Sequence, residues 1–157
     1  MERYKTYSGH LKQIYGEKVY KLPVNLPVTC PNRMDGEGCS FCGGVGTGFE
    51  AMNCETSVSE QLLTTKEKIA KRYKAKKFIA YFQNYTNTFL PVKQLEEYMI
   101  EAARTEDIVG ISISTRPDCI TRDYLDCMKN VSDTYGVKIS IEYGLQTVNY
   151  KTLEKIN

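Results

Sequence analysis

Apolar and polar positions alternate in blocks along this chain, and the blocks recur about every 30 residues. The run 17–24, EKVYKLPV, has strand composition, with Val19, Leu22 and Val24. Segment 56–77 follows with Val58, Leu62, Ile69 and Tyr73 at helical spacing, and Ser57 with Glu60 forms a capping-box pattern at its start. Segment 77–83, KFIAYFQ, is a short apolar and aromatic run that predicts a buried strand. A second helix is expected from Pro91, with Val92, Leu95, Met99 and Ala102 on one face. The run 108–115, IVGISIST, predicts a third strand. Helix 121–136 has Thr121 as cap, Leu125, Met128 and Val131 on a face, and Gly136 as stop. A fourth strand follows over 137–146, and 149–157 begins a fourth helix.

Strands that alternate with helices form parallel sheets, because right-handed crossovers return each strand beside the last. The strand runs are apolar at nearly every position, as expected of strands covered on both faces. The last helix barely begins, and four strands cannot close a barrel. The expectation is therefore one domain over 1–157 that belongs to a longer protein, with about four βα units and the start of a further helix. A complete small α/β sandwich is the alternative.

Composition narrows the classes only a little. The 157 residues carry a net charge of +2, too small to argue by itself for nucleic acid or a membrane surface. The N-terminal MERYKTYSGHLKQ lacks an apolar signal core, and no stretch reaches the roughly 18 apolar residues of a membrane span. The expected location is the cytoplasm, where thiols stay reduced and clustered cysteines more often bind metal than pair.

The cysteines change the picture. Cys30, Cys39 and Cys42 stand as C-x8-C-x2-C on a Gly-rich stretch, with Phe41 inside the last pair. Zinc in a structural site takes four protein ligands, and Cys54 is the nearby fourth thiol, so a zinc-stabilised binding module on Cys30, Cys39, Cys42 and Cys54 is one reading. His10 is remote in sequence and reads as a surface or core residue. The other reading is a [4Fe–4S] cluster on three cysteines, with one iron left open for a substrate or cofactor. A third leaves the thiols inert.

These residues resemble the cluster loop of the radical S-adenosylmethionine (SAM) enzymes. KLPVNLPVTCPNR (21–33), YFQNYTNTF (81–89), STRPDCIT (114–121) and YGLQTVNYKTLEKIN (143–157) together are similar to the YhcC/YtqA-like branch of that family. That branch is related to the Elongator catalytic subunit, whose TRPD and GVQS segments resemble TRPD (115–118) and GLQT (144–147) here. The first cysteine gap is longer than the C-x3-C commonest in the family, and family members are about twice this length.

The resemblance implies the N-terminal part of a partial (β/α)6 barrel with the cluster loop after its first strand. It implies Cys30, Cys39 and Cys42 as ligands of a [4Fe–4S] cluster whose open iron chelates SAM. Reductive cleavage of SAM would then give a 5′-deoxyadenosyl radical that abstracts hydrogen from a substrate, with tRNA base modification suggested by the Elongator likeness. An electron donor such as flavodoxin or ferredoxin is the implied partner. By family position, Tyr81, Phe82 and Gln83 resemble the segment that meets the SAM amino group, and Gln146 resembles the Gln near its adenosyl group. Ser114 stands where relatives often hold an acidic ribose contact. Residues 1–157 alone are not expected to form 5′-deoxyadenosine.

The residues themselves agree with a cavity at the strand ends, where parallel α/β folds bind ligands. Ser112, Ser114, Arg116 and Asp118 end the third strand, and Ser140, Glu142, Gly144 and Gln146 share one parity of the fourth. Glu142 in an apolar strand requires a polar partner. The plainer readings are an Arg116–Asp118 ion pair at a strand end, or an Arg116–Glu142 pair across strands. Cys119 at the rim of the site reads as a structural thiol or as a redox or hydrogen-donating one, and Cys54 and Cys127 as packing residues. The glycines of 43–48 supply backbone room, and the basic 66–77 is a solvated face or, by the Elongator likeness, an RNA-docking patch.

Overall fold

In the computed structural model, which describes residues 3–34, 36, 38–44 and 50–156, four strands run parallel in one sheet. They are β1 (Val19–Val24), β2 (Lys77–Phe82), β3 (Ile108–Thr115) and β4 (Lys138–Tyr143), neighbours in chain order. The crossovers are α2 (Val58–Tyr73), α3 (Val92–Arg104) and α4 (Arg122–Tyr135); α1 (Tyr7–Tyr15) precedes the sheet and α5 (Tyr150–Ile156) follows it. The four strands and the three crossover helices are those expected from the sequence. β4 ends earlier, at Tyr143, so Gly144 and Gln146 lie in the loop beyond it.

Local chemistry sets the helix ends. The Ser57 hydroxyl accepts from the Glu60 amide at 3.3 Å to cap α2, and Gly136 ends α4 at φ 67°. Thr121 caps α4 by position only, without a side-chain bond. The sequence reading missed α1, because only Leu11 and Ile14 are aliphatic within it. Its signals are terminal: the Thr6 hydroxyl accepts from the Gly9 amide at 3.1 Å, and Gly16 closes the helix at φ 77°.

The two faces of the sheet differ. Leu22, Val24, Phe78, Ala80, Phe82, Ile111 and Ile113 point toward α2, α3 and α4, where they pack with Leu62, Leu95, Met99 and Val131. The opposite, inner face is only partly apolar. There Leu11 of α1 packs on Val19 and Ile79, and further along the strands the face becomes polar with Lys21, Tyr81, Ser112, Ser114 and Glu142. The expectation that both faces are apolar holds for the helix-covered face alone. Pro23 sits within β1 at no cost to the ladder because β1 is an edge strand.

A bulge fixes which β3 residues face inward. Phe78 pairs with Ile108 but Ile79 pairs with Gly110, so Val109 is the extra residue, and Gly110, Ser112 and Ser114 then share the inner face with Ile79 and Tyr81. A Cβ on Gly110 would lie 2.9 Å from both the Lys138 carbonyl and the Tyr15 hydroxyl, so glycine lets α1 close down on the sheet.

Candidate metal centre and cofactor cavity

A cavity of about 800 Å³ opens at the carboxyl ends of the strands. Cys30, Cys39, Cys42, Gln83, Ser114, Arg116, Glu142 and Gln146 are among the residues that line it. Its volume is in the range that holds a nucleoside-sized ligand.

The cysteine loop leaves β1 through Asn25. Gln61 of α2, fully buried, accepts from the Asn25 amide at 2.8 Å and donates to the Asn25 and Thr56 carbonyls at 2.9 and 2.8 Å. This side chain holds the exit of β1 and the entry of α2 together, so both ends of the loop are anchored. Within the loop, Pro31–Arg33 form one 3₁₀ turn, and the Cys42 amide closes on the Cys39 carbonyl at 2.9 Å. Gly38 takes φ 89° against the Arg33 side chain, and Arg33 donates to the Gly43 carbonyl at 2.5 Å. Tyr85 lies 5.3 Å from that guanidinium and donates to the Gly44 carbonyl at 2.8 Å. The Gly-rich stretch 43–48 lies partly outside the described residues.

Donors surround the sulfurs. The Thr86 hydroxyl lies 3.2 Å from Cys30 Sγ, and the Asn32 amide lies 3.1 Å from Cys39 Sγ. Arg116 reaches Cys30 Sγ at 3.9 Å, donates to Asn32 Oδ1, and holds Asp118 through two bonds of 2.9 and 2.7 Å. The Asp118 carboxyl is held below its ordinary range by Arg116, against the opposing effect of burial, and Arg116 stays protonated. Burial pushes the Cys42 thiol up, the neighbouring Cys39 adds to this, and the Arg33 charge opposes it. Cys119 beside Asp118 is raised chiefly by burial, and Cys127 is buried in the core.

The four-thiol arrangement is not assembled. Cys54 is absent from the cavity wall, and among the described residues no group of three or more His, Cys, Asp or Glu side chains, Cys30, Cys39 and Cys42 included, surrounds a single ion position. A zinc ion would draw four ligands to about 2–2.3 Å of one point.

Below the cavity lies a polar floor on the inner face. Lys21 of β1 pairs with Glu142 of β4, and Ser112 donates to the same carboxylate at 2.6 Å. The Tyr81 ring lies 4.1 Å from the Lys21 ammonium, and Ser114 donates to the Tyr81 hydroxyl at 3.2 Å. Burial opposes the Glu142 charge, but Lys21 and Ser112 outweigh it and hold the carboxyl below the ordinary glutamate range. Burial raises the Tyr81 phenol, with the Ser114 bond opposing.

Of the residues expected to meet a cofactor, the structure brings Gln83, Ser114, Arg116, Glu142 and Gln146 to the cavity wall with the three cysteines. Tyr81 belongs to the floor. Phe82 requires correction: strand alternation turns it to the helix-covered face, where it is 0% exposed in the core. Arg116 pairs with Asp118, and Glu142 takes Lys21 rather than Arg116 as its ion partner. Sequence reasoning missed Lys21, Asn32, Arg33, Tyr85 and Thr86. Lys21 carried a signal, a lone charge in mid-strand at the parity of Val19; the others sit in loops whose course no periodicity reveals. The basic 66–77 segment lies toward the opposite end of the strands from the cavity, with Lys66 paired to Glu106 and Asp107 and Lys77 to Glu17.

No family model matches the chain. It is 39% identical over 161 aligned positions to the uncharacterized protein YtqA of Bacillus subtilis, covering 99% of this chain and 49% of that one. It is 38% identical over 155 positions to protein YhcC of Escherichia coli K12, covering 96% and 48%. The uncharacterized protein MJ0486 of Methanocaldococcus jannaschii is 33% identical over 153 positions, covering 96% and 47%. The chain thus spans about half the length of the curated relatives it matches. Among solved structures, the archaeal Methanocaldococcus infernus Elp3 with an N-terminal deletion (1–46) superposes with a TM-score of 0.53 at 15% identity, over 87% of this chain and 30% of that one. The architecture is therefore an α/β fold with a parallel sheet, like part of Elp3. Among the described residues, no helix is long and apolar enough to cross a membrane.

Proposed function

We propose that this chain holds a [4Fe–4S] cluster on Cys30, Cys39 and Cys42 and SAM in the adjoining cavity, as the core of a radical SAM enzyme. One observation carries this reading: three thiols line one cavity, donors face two of their sulfurs, and Cys54 does not join them. The donor set fits the group. Soft thiolates suit iron–sulfur ligation, and three of them spread along a cavity wall suit a cluster of several metals better than one ion. The motif resemblance and the Elp3-like fold support the same reading.

The cluster and SAM, when bound, supply a one-electron reductive cleavage that yields a hydrogen-abstracting radical. The chain's own residues hold and orient. Gln83, Ser114, Arg116, Glu142 and Gln146 offer SAM donors and acceptors along the cavity wall. The Lys21–Glu142 pair holds Glu142, which lines the cavity, in place. The four strands are the first part of a (β/α)6 barrel whose core domain includes residues 1–157. The protein is cytoplasmic, takes its electron from a donor such as flavodoxin or ferredoxin, and acts on RNA, with tRNA the class suggested by the Elongator likeness.

Anaerobic reconstitution with iron and sulfide tests the assignment. About four irons per chain are expected, lost in Cys30→Ala, Cys39→Ala and Cys42→Ala and retained in Cys54→Ala. One zinc per chain, lost on Cys54→Ala, would overturn it in favour of the zinc module.

A further inference from the structure

We infer that Asn32 and Thr86 are positioning residues that set the reduction potential of the metal cluster by hydrogen bonding to its cysteine ligands. This inference rests on the cluster reading above. Hydrogen bonds to ligand sulfur stabilise the more negative, reduced state, and they are among the levers that set iron–sulfur potentials. The two donors come from different parts of the chain. Asn32 belongs to the cysteine loop itself, whereas Thr86 follows β2 and is 1% exposed.

The orientation of Asn32 is fixed by its neighbour. Arg116 carries donors only, so the Asn32 atom that faces it must be the carbonyl oxygen. The Asn32 amide nitrogen is then turned toward Cys39 Sγ at 3.1 Å. Arg116 is itself held by the Asp118 carboxylate at 2.9 and 2.7 Å. The chain Asp118–Arg116–Asn32–Cys39 therefore runs from the end of β3 to a ligand sulfur, and each link dictates the polarity of the next. Thr86 provides a separate bond, its hydroxyl 3.2 Å from Cys30 Sγ. It follows Tyr85, a non-glycine residue at φ 54°. That left-handed turn, anchored by the Tyr85 bond to Gly44, aims Thr86 at the sulfur. Both donors are neutral, so they tune the couple without adding net charge to the cavity.

Removing either donor leaves a sulfur with less hydrogen bonding, and the cluster becomes harder to reduce. The test is a redox titration of anaerobically reconstituted protein without SAM, read by the paramagnetic signal of the one-electron-reduced cluster. Asn32→Ala and the near-isosteric Thr86→Val are each expected to bind iron like the parent and to lower the reduced-to-oxidised ratio at fixed poise by three- to tenfold, tenfold being 59 mV for one electron. Thr86→Ser restores the donor and is expected to return the ratio to that of the parent. Unchanged potentials with full iron content would overturn the tuning role and leave the cluster assignment standing. A variant that binds less iron than the parent assigns its residue to loop folding and overturns its tuning role. If the parent chain itself takes up no cluster, both readings fall.

Discussion

Lys21 of β1 reaches over the inner face of the sheet to the carboxylate of Glu142 in β4, the strand at the opposite edge. The pair crosses the two central strands, and both contribute to it. Tyr81 of β2 lies against the ammonium, and Ser112 of β3 donates to the carboxylate. One ion pair thus ties all four strands together beneath the cavity.

Breaking this tie is expected to destabilise the fold modestly. The side chains are 22% and 38% exposed, so solvent screens much of the attraction, and the pair is intermediate between a surface and a buried one. Lys21→Met and Glu142→Gln should each cost about 1–2 kcal/mol in urea unfolding. The double variant should lose less than the sum of the two, because each single change removes the same interaction. Strict additivity in the double-mutant cycle would show that the two charges do not interact.

The same pair sets a pH dependence. Glu142 has a lower pKa folded than unfolded, so the unfolded chain binds its proton first as pH falls. Its stabilisation is therefore full above the ordinary glutamate pKa of about 4.3 and is lost as pH drops through the lower folded value. The stability gap between the parent and Glu142→Gln, measured by urea unfolding, should be constant from pH 7 to about pH 5 and shrink progressively below it. A gap that widened on acidification would contradict the assigned direction.

How far the sequence reached follows from the range of each interaction. The four strands and three crossover helices were legible because burial against α2–α4 imposes an apolar pattern on Leu22, Phe78, Ile111 and Leu95. The meeting of Cys30 with Cys39 and Cys42 was legible in part, since short spacing keeps thiols near one another. Phe82 was misplaced because it was grouped with its neighbours Tyr81 and Gln83, although successive strand residues face opposite ways. The Thr86 and Arg116 contacts to Cys30 were not legible. They join segments 56 and 86 residues apart through loops with no period. Helix α1 escaped notice because Leu11 is its one fully buried side chain, with Tyr15 half-buried against the same cluster, too few for a pattern.

Gly110 offers a test of that docking. A methyl group there meets the Lys138 backbone carbonyl and the Tyr15 hydroxyl, each at 2.9 Å, and the backbone atom cannot move aside. Gly110→Ala should cost about 1–3 kcal/mol by overpacking. Adding Tyr15→Phe removes one of the two clashes and should recover part of the loss in thermal unfolding. Full recovery would mean that the carbonyl contact is harmless, and no recovery that α1 is not held against the bulge.

Asn87 is expected to be a sensitive position. It is 0% exposed in the turn after β2, and its amide group donates to the carbonyls of Phe82, Asn84 and Ser114 at 2.9, 3.3 and 2.9 Å. The end of β2 is thereby joined to the end of β3 beside the cavity. Asn87→Ala removes two N–H donors shared among three carbonyls, those of Phe82 and Asn84 buried and that of Ser114 part-buried; at about 1–3 kcal/mol for each unsatisfied group, and with partial relaxation, the total should be about 2–4 kcal/mol. Asn87→Asp is nearly the same size but sets a carboxylate against those carbonyls, so at neutral pH it should be worse than alanine. Protonation restores one donor, so the aspartate variant should regain stability relative to alanine as pH falls, measured by urea unfolding at pH 7 and about pH 4.5. An aspartate variant as stable as the parent at pH 7 would mean that the Asn87 donors hold none of these carbonyls.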